Sequence, residues 1–421
     1  MTKKIVFHDR YSVESLSTGE QDRSGLIFTS SSGVNDLTSL TLLSSTVDTV
    51  RQLYEGVPSF DLTLLDRFDV VNLKDLPHGT PLGISWAVQR MGKASGYRYS
   101  LTNKARGLQI LLGAYHHKID ALYPAPHLKI ECSPHFLFSY SYDDVQHTLD
   151  SIASTLLNSP SPTGCAVHLA LDVQGWVPPS DFVDRFVTRA RTLRTYSGID
   201  SSVFDLTQAA VIYGKNETFT FGKPNSLQVS VYDKSLEVVH SDKVDFFRHV
   251  WGYSYNPDSP VWRVEQRFHQ SVTRELGNDL NLDFSTFGAL APHLYELWNY
   301  AMRNNRLSTS RTSDLISPQW QLFMQDAVFS NTTSGLYIHK RKKKDDVSAI
   351  SRNIGLVLGN LTTLWARSFV TDSLIRKQLK ALSFWPECLK YFLTRGLNEE
   401  DLFLKICKDV RVRRLTHKCA A

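Results

Sequence analysis

The chain has 421 residues, of which 42% are hydrophobic and 21% are charged, and it carries a formal net charge of +5. This length predicts more than one domain, and the composition is that of a globular protein rather than a disordered chain. No window approaches the roughly 18 uninterrupted apolar residues of a membrane-spanning helix, so we expect no contact with a membrane.

The N-terminal segment and the cysteines indicate the cellular compartment in which the protein is found. The N-terminal segment lacks the apolar core of a secretory signal. The five cysteines are scattered and include no Cys-x-x-Cys pair. They are typical of reduced thiols in an intracellular protein and do not suggest a zinc site. We therefore expect a cytoplasmic protein.

The basic charge lies at the C-terminal end. Residues 331–421 contain 18 Lys and Arg against 8 Asp and Glu, a balance of +10, which leaves −5 for the first 330 residues. Such asymmetry favours a polyanionic partner, nucleic acid before membrane, with a solvated basic face as the ordinary alternative.

Residues 1–80 form an N-terminal region of unknown role, rich in Ser and Thr, in which the apolar pattern predicts a helix over 37–54. Four breakers between Pro77 and Gly83 predict a domain boundary at about residue 81.

Residues 81–275 alternate between strand and helix patterns, which predicts one catalytic domain. Helical spacing predicts two helices, at 143–157 and 181–193. Period-two alternation and breakers predict strands at 97–102, 107–115, 127–132, 165–173, 208–213, 218–221, 226–232 and 261–268. This order indicates an α+β domain with a largely antiparallel sheet covered on one face by helices, consistent with two related halves.

Residues 276–421 carry helical patterns almost throughout and predict a separate helical, basic domain. Helices are expected at 287–302, 319–329, 347–369, 374–382 and 400–410. A basic run precedes one of them and predicts contacts with a DNA phosphate backbone, unless it is only a solvated loop; it consists of Lys340, Arg341, Lys342, Lys343 and Lys344.

Three strands of the middle domain have a polar face. In 226–232 the polar residues end in Tyr232, with Lys234 next on the same side, a hydroxyl nucleophile beside an ammonium group. Asp172 ends the polar row of 167–172. The strand 262–268 carries Arg263, Glu265 and Arg267 on one side. If the helices cover the apolar face, these side chains line the uncovered face together.

Such a set fits phosphodiester chemistry. Carboxylates supply the oxygen ligands that Mg²⁺ or Mn²⁺ prefers, and Arg or Lys offsets the charge of a phosphoryl transition state. The alternative from spacing alone is a surface ladder of ion pairs with no catalytic role.

The same motifs carry a resemblance to a family. The segment 167–172, the box 232–237 with its lead-in 222–226, and the segment 262–267 resemble, in order and spacing, the plasmid and phage replication initiation factors, the Rep_trans type of rolling-circle initiator. The resemblance covers about residues 83–269. The first motif has His168 where an Arg or similar polar residue is more usual.

The resemblance implies a rolling-circle replication initiator that nicks and rejoins one DNA strand at a replication origin. The tyrosine stays attached to the 5′ phosphate, Mg²⁺ or Mn²⁺ assists, the initiator acts as a homodimer, and a host helicase is recruited. A catalytically inert DNA-binding replication or regulatory protein on the same fold is the alternative. A tyrosine recombinase is disfavoured because its nucleophile belongs to a helical domain.

Carried over residue by residue, the resemblance implies Tyr232 as the nucleophile. Lys234, Arg263 and Arg267 would then contact phosphate. The metal would be held by Asp172 and Glu265, with Glu237 as a third ligand.

Overall fold

The fold is described from a computed structural model, which covers residues 5–11, 25–73, 85–115, 126–190, 193–196, 218–223, 226–329, 334–338 and 347–415. The strands are β1 Asp9–Tyr11, β2 Ile27–Ser30, β3 Gly33–Asp36, β4 Thr41–Pro58, β5 Val70–Asn72, β6 Ser85–Arg90, β7 Tyr97–Asn103, β8 Leu108–Ala114, β9 Leu128–Cys132, β10 Leu157–Gln174, β11 Phe186–Val187, β12 Leu193–Tyr196, β13 Thr218–Phe221, β14 Gln228–Asp233, β15 Trp262–Phe268 and β16 Arg306–Leu307.

The helices are α1 Pro134–Ser139, α2 Tyr142–Leu156, α3 Phe182–Arg185, α4 Lys234–His240, α5 Val244–Trp251, α6 Gln270–Leu280, α7 Phe287–Leu290, α8 Leu294–Asn304, α9 Pro318–Asp326, α10 Val347–Arg367, α11 Asp372–Ala381, α12 Trp385–Leu393 and α13 Glu399–Leu415. No helix in the described part of the chain is long and apolar enough to cross a membrane.

One large antiparallel sheet organises the first 340 residues. Across the described ranges it has eleven strands in the order β12-β13-β14-β15-β10-β4-β9-β8-β7-β6-β5. The two 18-residue strands, β4 and β10, pair antiparallel at its centre, and each is flanked on its outer side by further antiparallel strands. The predicted α+β class with a largely antiparallel sheet is confirmed.

The predicted helix over 37–54 is wrong, because that stretch is mostly the central strand β4. Its β-branched residues at Thr46, Val47, Thr49 and Val50 restrict χ1 in a helix and favour an extended chain. Pairing with β9 and β10, which come much later in the chain, stabilises this extended conformation. The helix predicted over 181–193 is also wrong, since only α3 forms before the short strand β11. The strand predicted at 208–213 lies outside the described residues.

The apolar face of the sheet forms the main core. Val167, Leu169 and Leu171 of β10 are fully buried together with the apolar face of α2, as the alternation and the helical spacing predict. Helices α2, α6 and α7 contact β10, and α8 contacts β15. Helices α6, α7 and α8, which follow β15 in the chain, therefore belong to the same core as the sheet.

The two compact units divide at Lys340 and Arg341, rather than near residues 81 and 276. The first predicted boundary fails because β4, from the N-terminal region, is a central strand of the sheet. The second fails because α6, α7 and α8 pack on that sheet. Strand β1 is tied to the same unit: Arg10 makes a bidentate pair with Asp326 of α9.

The second unit, residues 341–421, is helical in its described part, as predicted, and has its own apolar core around Trp365, Ile375 and Ile406. Arg414 donates hydrogen bonds to the carbonyls of Trp365 and Val370, at the end of α10. This basic side chain therefore closes a helix terminus within its own unit.

Candidate functional site

The strand registers bring the polar rows of three strands to one face of the sheet. Tyr232 of β14 lies opposite Arg263 of β15, and Arg263 lies opposite Asp172 of β10. Glu265 and Arg267 follow on the same face of β15, since successive same-face residues are two apart. The registers thus bring these five sequence-predicted residues onto one surface.

That surface is not uncovered, contrary to the expectation from the sequence. Helices α4 and α5 lie over it, and Phe247 and Trp251 of α5 are buried against it. The guanidinium of Arg263 stacks on the Phe247 ring at 5.1 Å, and the Lys234 ammonium lies 4.2 Å from the same ring centroid. The charged rows therefore form a partly enclosed site, in which electrostatic interactions are stronger than at an open surface.

Arg263 is the centre of a buried ion-pair network. Its Nε and Nη2 atoms donate to the two carboxylate oxygens of Asp172 at 2.6 and 2.8 Å, and Nη1 donates to Asp48 at 2.5 Å. Asp172 also accepts from Trp251 Nε1 at 2.8 Å and from Ser44 Oγ at 3.1 Å. Arg263 and Asp172 are completely buried. Their hydrogen bonds join β4, β10 and β15 to one another and to α5.

Glu265 is the centre of a second network, which includes the predicted nucleophile. It accepts a hydrogen bond from the Tyr232 hydroxyl at 3.2 Å and a bidentate pair from Arg267 at 2.8 and 3.1 Å. His168 Nδ1 lies 3.2 Å from its other side. Glu265 is buried, whereas the Arg267 side chain is 31% exposed, so part of this side chain is open to solvent.

These surroundings fix the ionisation of the two central groups. Burial opposes ionisation of Glu265, but Arg267 and His168 outweigh it and hold the pKa of this carboxyl well below its ordinary value. Burial and the nearby Glu265 carboxylate raise the pKa of the Tyr232 hydroxyl well above its ordinary value. At neutral pH the Glu265 carboxylate is therefore ionised, and it accepts a hydrogen bond from the protonated Tyr232 hydroxyl.

Lys234 is the first residue of α4 and is buried between that helix and the sheet. Its ammonium forms a close ion pair with Glu237 one helical turn later and lies 5.9 Å from the Tyr232 ring centroid. Burial, followed by repulsion from Arg263, lowers its pKa. Lys234 thus stands beside Tyr232, while Glu237 is its partner.

A different set of donors from the predicted one lies close enough together to hold a metal. Within the described ranges, ligand atoms of Asp48, His168 and Glu265 all lie within 4.8 Å of one another. Asp172 and Glu237 are not in this cluster; they pair instead with Arg263 and Lys234.

The donor types of this cluster fit a hard or borderline divalent cation. Two carboxylates and one imidazole suit Mn²⁺ better than Mg²⁺, which prefers oxygen alone. His168 Nδ1 lies 3.2 Å from Glu265 Oε1, and the buried Nε2 atom of the same ring has no hydrogen-bond partner among the described residues. Arg263 and Arg267 already offset part of the negative charge of Asp48 and Glu265.

Two residues of this site, His168 and Asp48, are not among those that the sequence predicts. His168 lies on the polar row of β10, where the sequence departs from the usual motif, and the motif therefore implies no role for it. Asp48 comes from β4, at a register irregularity where Thr49 and Val47 face consecutive residues of β10. The extra residue of a β-bulge changes the direction in which a side chain points, and no local sequence pattern predicts the bulge.

The predicted DNA-binding run Lys340, Arg341, Lys342, Lys343 and Lys344 lies outside the described residues.

The chain is 34% identical over 393 residues to uncharacterized protein ORF430 of Pseudomonas phage Pf1, an alignment that covers 87% of each chain. No protein-family model and no solved structure matches the chain. With this identity over most of both lengths, the chain belongs to the same family as ORF430 of phage Pf1.

Proposed function

We propose that the protein is a rolling-circle replication initiator, which nicks and rejoins one DNA strand at an origin through a 5′-phosphotyrosine. The observation that carries this proposal is the hydrogen bond from the Tyr232 hydroxyl to the buried Glu265 carboxylate, beside a half-buried Arg267. A phage relative is compatible with a role in copying a small genome.

The cleavage step would proceed by in-line attack. The Tyr232 oxygen forms a bond to phosphorus as its proton passes to Glu265, and the bond from phosphorus to the 3′ oxygen breaks. The 3′ oxygen takes up a proton from water and becomes the free 3′ hydroxyl, while Glu265 returns its proton to water and is again ionised. The reverse reaction, attack by a 3′ hydroxyl on the phosphotyrosine, rejoins the strand.

The remaining residues divide into two roles. Arg267 would contact the scissile phosphate, because part of its side chain reaches solvent, whereas Arg263 is buried and engaged with two aspartates. Lys234 would favour negative charge developing near the Tyr232 ring. Asp172 and Arg263 would hold the sheet in position.

Asp48, His168 and Glu265 would hold Mn²⁺ or Mg²⁺. Such an ion, when bound, polarises a phosphoryl oxygen and offsets the charge of the transition state.

The test compares the protein with Tyr232→Phe on supercoiled plasmids carrying overlapping fragments of the replicon that encodes the chain, with Mn²⁺ or Mg²⁺ present. We expect relaxed circles and a covalent protein-DNA adduct with the unaltered protein and with the control Tyr255→Phe, and neither product with Tyr232→Phe. An adduct of Tyr232→Phe would reject the nucleophile. Specific binding of a fragment without any cleavage would instead support the alternative of an inert DNA-binding protein.

A further inference from the structure

A cleft of about 770 Å³ opens between the sheet and the turn that joins α4 to α5. Its floor is formed by the ends of β7, β8 and β9, and its walls by the start of α1 and the start of α5. Cavities of about 300–1,000 Å³ are the size of small-molecule sites, so this one accommodates one or a few nucleotides rather than a duplex.

Four rings cluster beside this cleft, two from each helix; one ring of each helix, His135 and Phe246, lines it. His135 and Phe138 lie three residues apart on α1, and Phe246 and His249 lie three residues apart on α5, so each pair shares a helix face. The His135 and Phe246 rings are 5.3 Å apart, and Phe138 meets the rings of Phe246 and His249 edge-on at 6.0 and 5.8 Å.

These rings are accessible, which is unusual for a group of this size. Phe138 is 50% exposed, His135 and His249 are exposed, and Phe246 is half-buried. Exposed aromatic clusters mark binding surfaces. Aromatic faces are the platform on which unpaired bases stack in single-stranded nucleic acids, irrespective of sequence.

The charges of the lining also favour bases over phosphates. Lys104 and Lys243 line the cleft, and so do Asp242 and Asp245. The third carboxylate of the lining, Glu131, is paired with Arg51 at 2.7 Å. The cleft is therefore close to neutral, and a bound strand would turn its bases inward and its phosphates to solvent.

The cleft and the Tyr232 site lie on the same face of the sheet, since Glu131 pairs with Arg51 and Arg51 pairs with Ala166, two residues before His168. Glu131, in its floor, belongs to β9, and β4, β10 and β15 are the strands between β9 and β14, which carries Tyr232. Four steps of about 4.8 Å place the floor roughly 19 Å from the Tyr232 strand. Phe247, in the cleft wall, also stacks on Arg263.

We propose that this cleft binds unpaired bases of a single DNA strand, several nucleotides from the phosphate that Tyr232 attacks. The proposal rests on the proposed function, which accounts for the presence of a single DNA strand at this site. It assigns to the α1 and α5 rings the capture of melted DNA, and it separates capture from the chemistry at Glu265.

The test measures the binding of full-length protein in the Tyr232→Phe background, so that cleavage does not intervene. The probes are a fluorescein-labelled unstructured 20-nucleotide DNA strand and the duplex of the same sequence, followed by fluorescence anisotropy. Phe138→Ala combined with His135→Ala is the test variant, and Tyr253→Ala, a fully exposed aromatic outside the cleft, is the control. If the double variant unfolds, two single variants, Phe138→Leu and His135→Ala, are measured in its place.

We expect the double variant to bind the single strand between about five-fold and about a hundred-fold more weakly, as for the loss of a stacking partner, with unchanged duplex affinity. A 2-aminopurine in the strand should be quenched by the parent protein and not by the variant. Unchanged single-strand affinity, or an equal loss for the duplex, overturns the proposal.

The two proposals fail separately. If the unaltered protein forms no covalent adduct but the cleft variants lose single-strand binding, the base-binding cleft stands and the nicking function is rejected. If the adduct forms and the cleft variants bind normally, only the cleft proposal is rejected.

Discussion

Tyr232 and Glu265 lie diagonally across two neighbouring strands, and the tyrosine hydroxyl donates a 3.2 Å hydrogen bond to Glu265 Oε2. Arg267 and His168 hold the same carboxylate from its other sides. The acceptor is thereby fixed in place and ionised, and the tyrosine remains protonated until a reaction draws the proton away.

Glu265→Gln should separate chemistry from binding. The amide keeps the shape of the side chain but no longer accepts the Tyr232 proton, so we expect adduct formation at saturating DNA to fall by about 10²–10⁴-fold. Single-strand affinity should not change. Glu296→Gln, at another buried glutamate, is the control. Normal adduct formation by Glu265→Gln would exclude this carboxylate as the proton acceptor.

Asp172→Asn should act on stability. Removing one charge of the buried pair leaves Arg263 without its main partner, which costs about 3–5 kcal/mol in the free energy of unfolding. Asp326→Asn breaks the half-exposed pair with Arg10 and should cost about 1 kcal/mol or less. Urea unfolding measures both. Equal, small losses would show that the Asp172 pair is not structural.

Asp48→Asn should weaken metal binding. Because Asp48 supplies one of two carboxylates in the cluster, we expect the affinity for Mn²⁺ alone, measured by calorimetry, to fall on the order of tenfold or more. Glu237→Gln, whose carboxylate pairs with Lys234, should leave it unchanged. The reverse pattern would return the metal to the ligands that the family resemblance implies.

Acid should destabilise the first unit through its buried carboxylates. Burial opposes ionisation of Asp172 and Glu131, but Arg263 and Arg51 outweigh it and lower both pKa values. Groups with depressed pKa values stabilise the fold above their unfolded values of about 3.9 and 4.3, and this contribution is lost as the pH falls through the folded values.

The urea midpoint should therefore fall steeply below about pH 4. A shallower fall should begin below about pH 6.5, because burial lowers the pKa values of His168 and His269, so that only the unfolded chain takes up protons on them there. In Glu131→Gln the steep fall should be smaller, because one of the buried carboxylates with a lowered pKa is absent. A midpoint that decreases equally in the variant and the parent protein would contradict the contribution of Glu131.

Local patterns in the sequence determined the strands that carry the site. Alternation placed Asp172, Tyr232 and Glu265 on polar strand faces, since residues two apart in a strand point the same way. The sequence also determined the α+β class and the helical C-terminal unit, because periods of two and of three to four residues are local properties.

The tertiary structure decided what those residues do. Asp48 reaches the site from a strand that resembled a helix locally, and it meets Arg263 from 215 residues away. Asp172 and Glu265, equivalent by spacing, belong to different networks, because α5 brings Trp251 to one and the register brings Tyr232 to the other. Pairing register and helix packing are set by contacts distant in sequence, which no local pattern encodes.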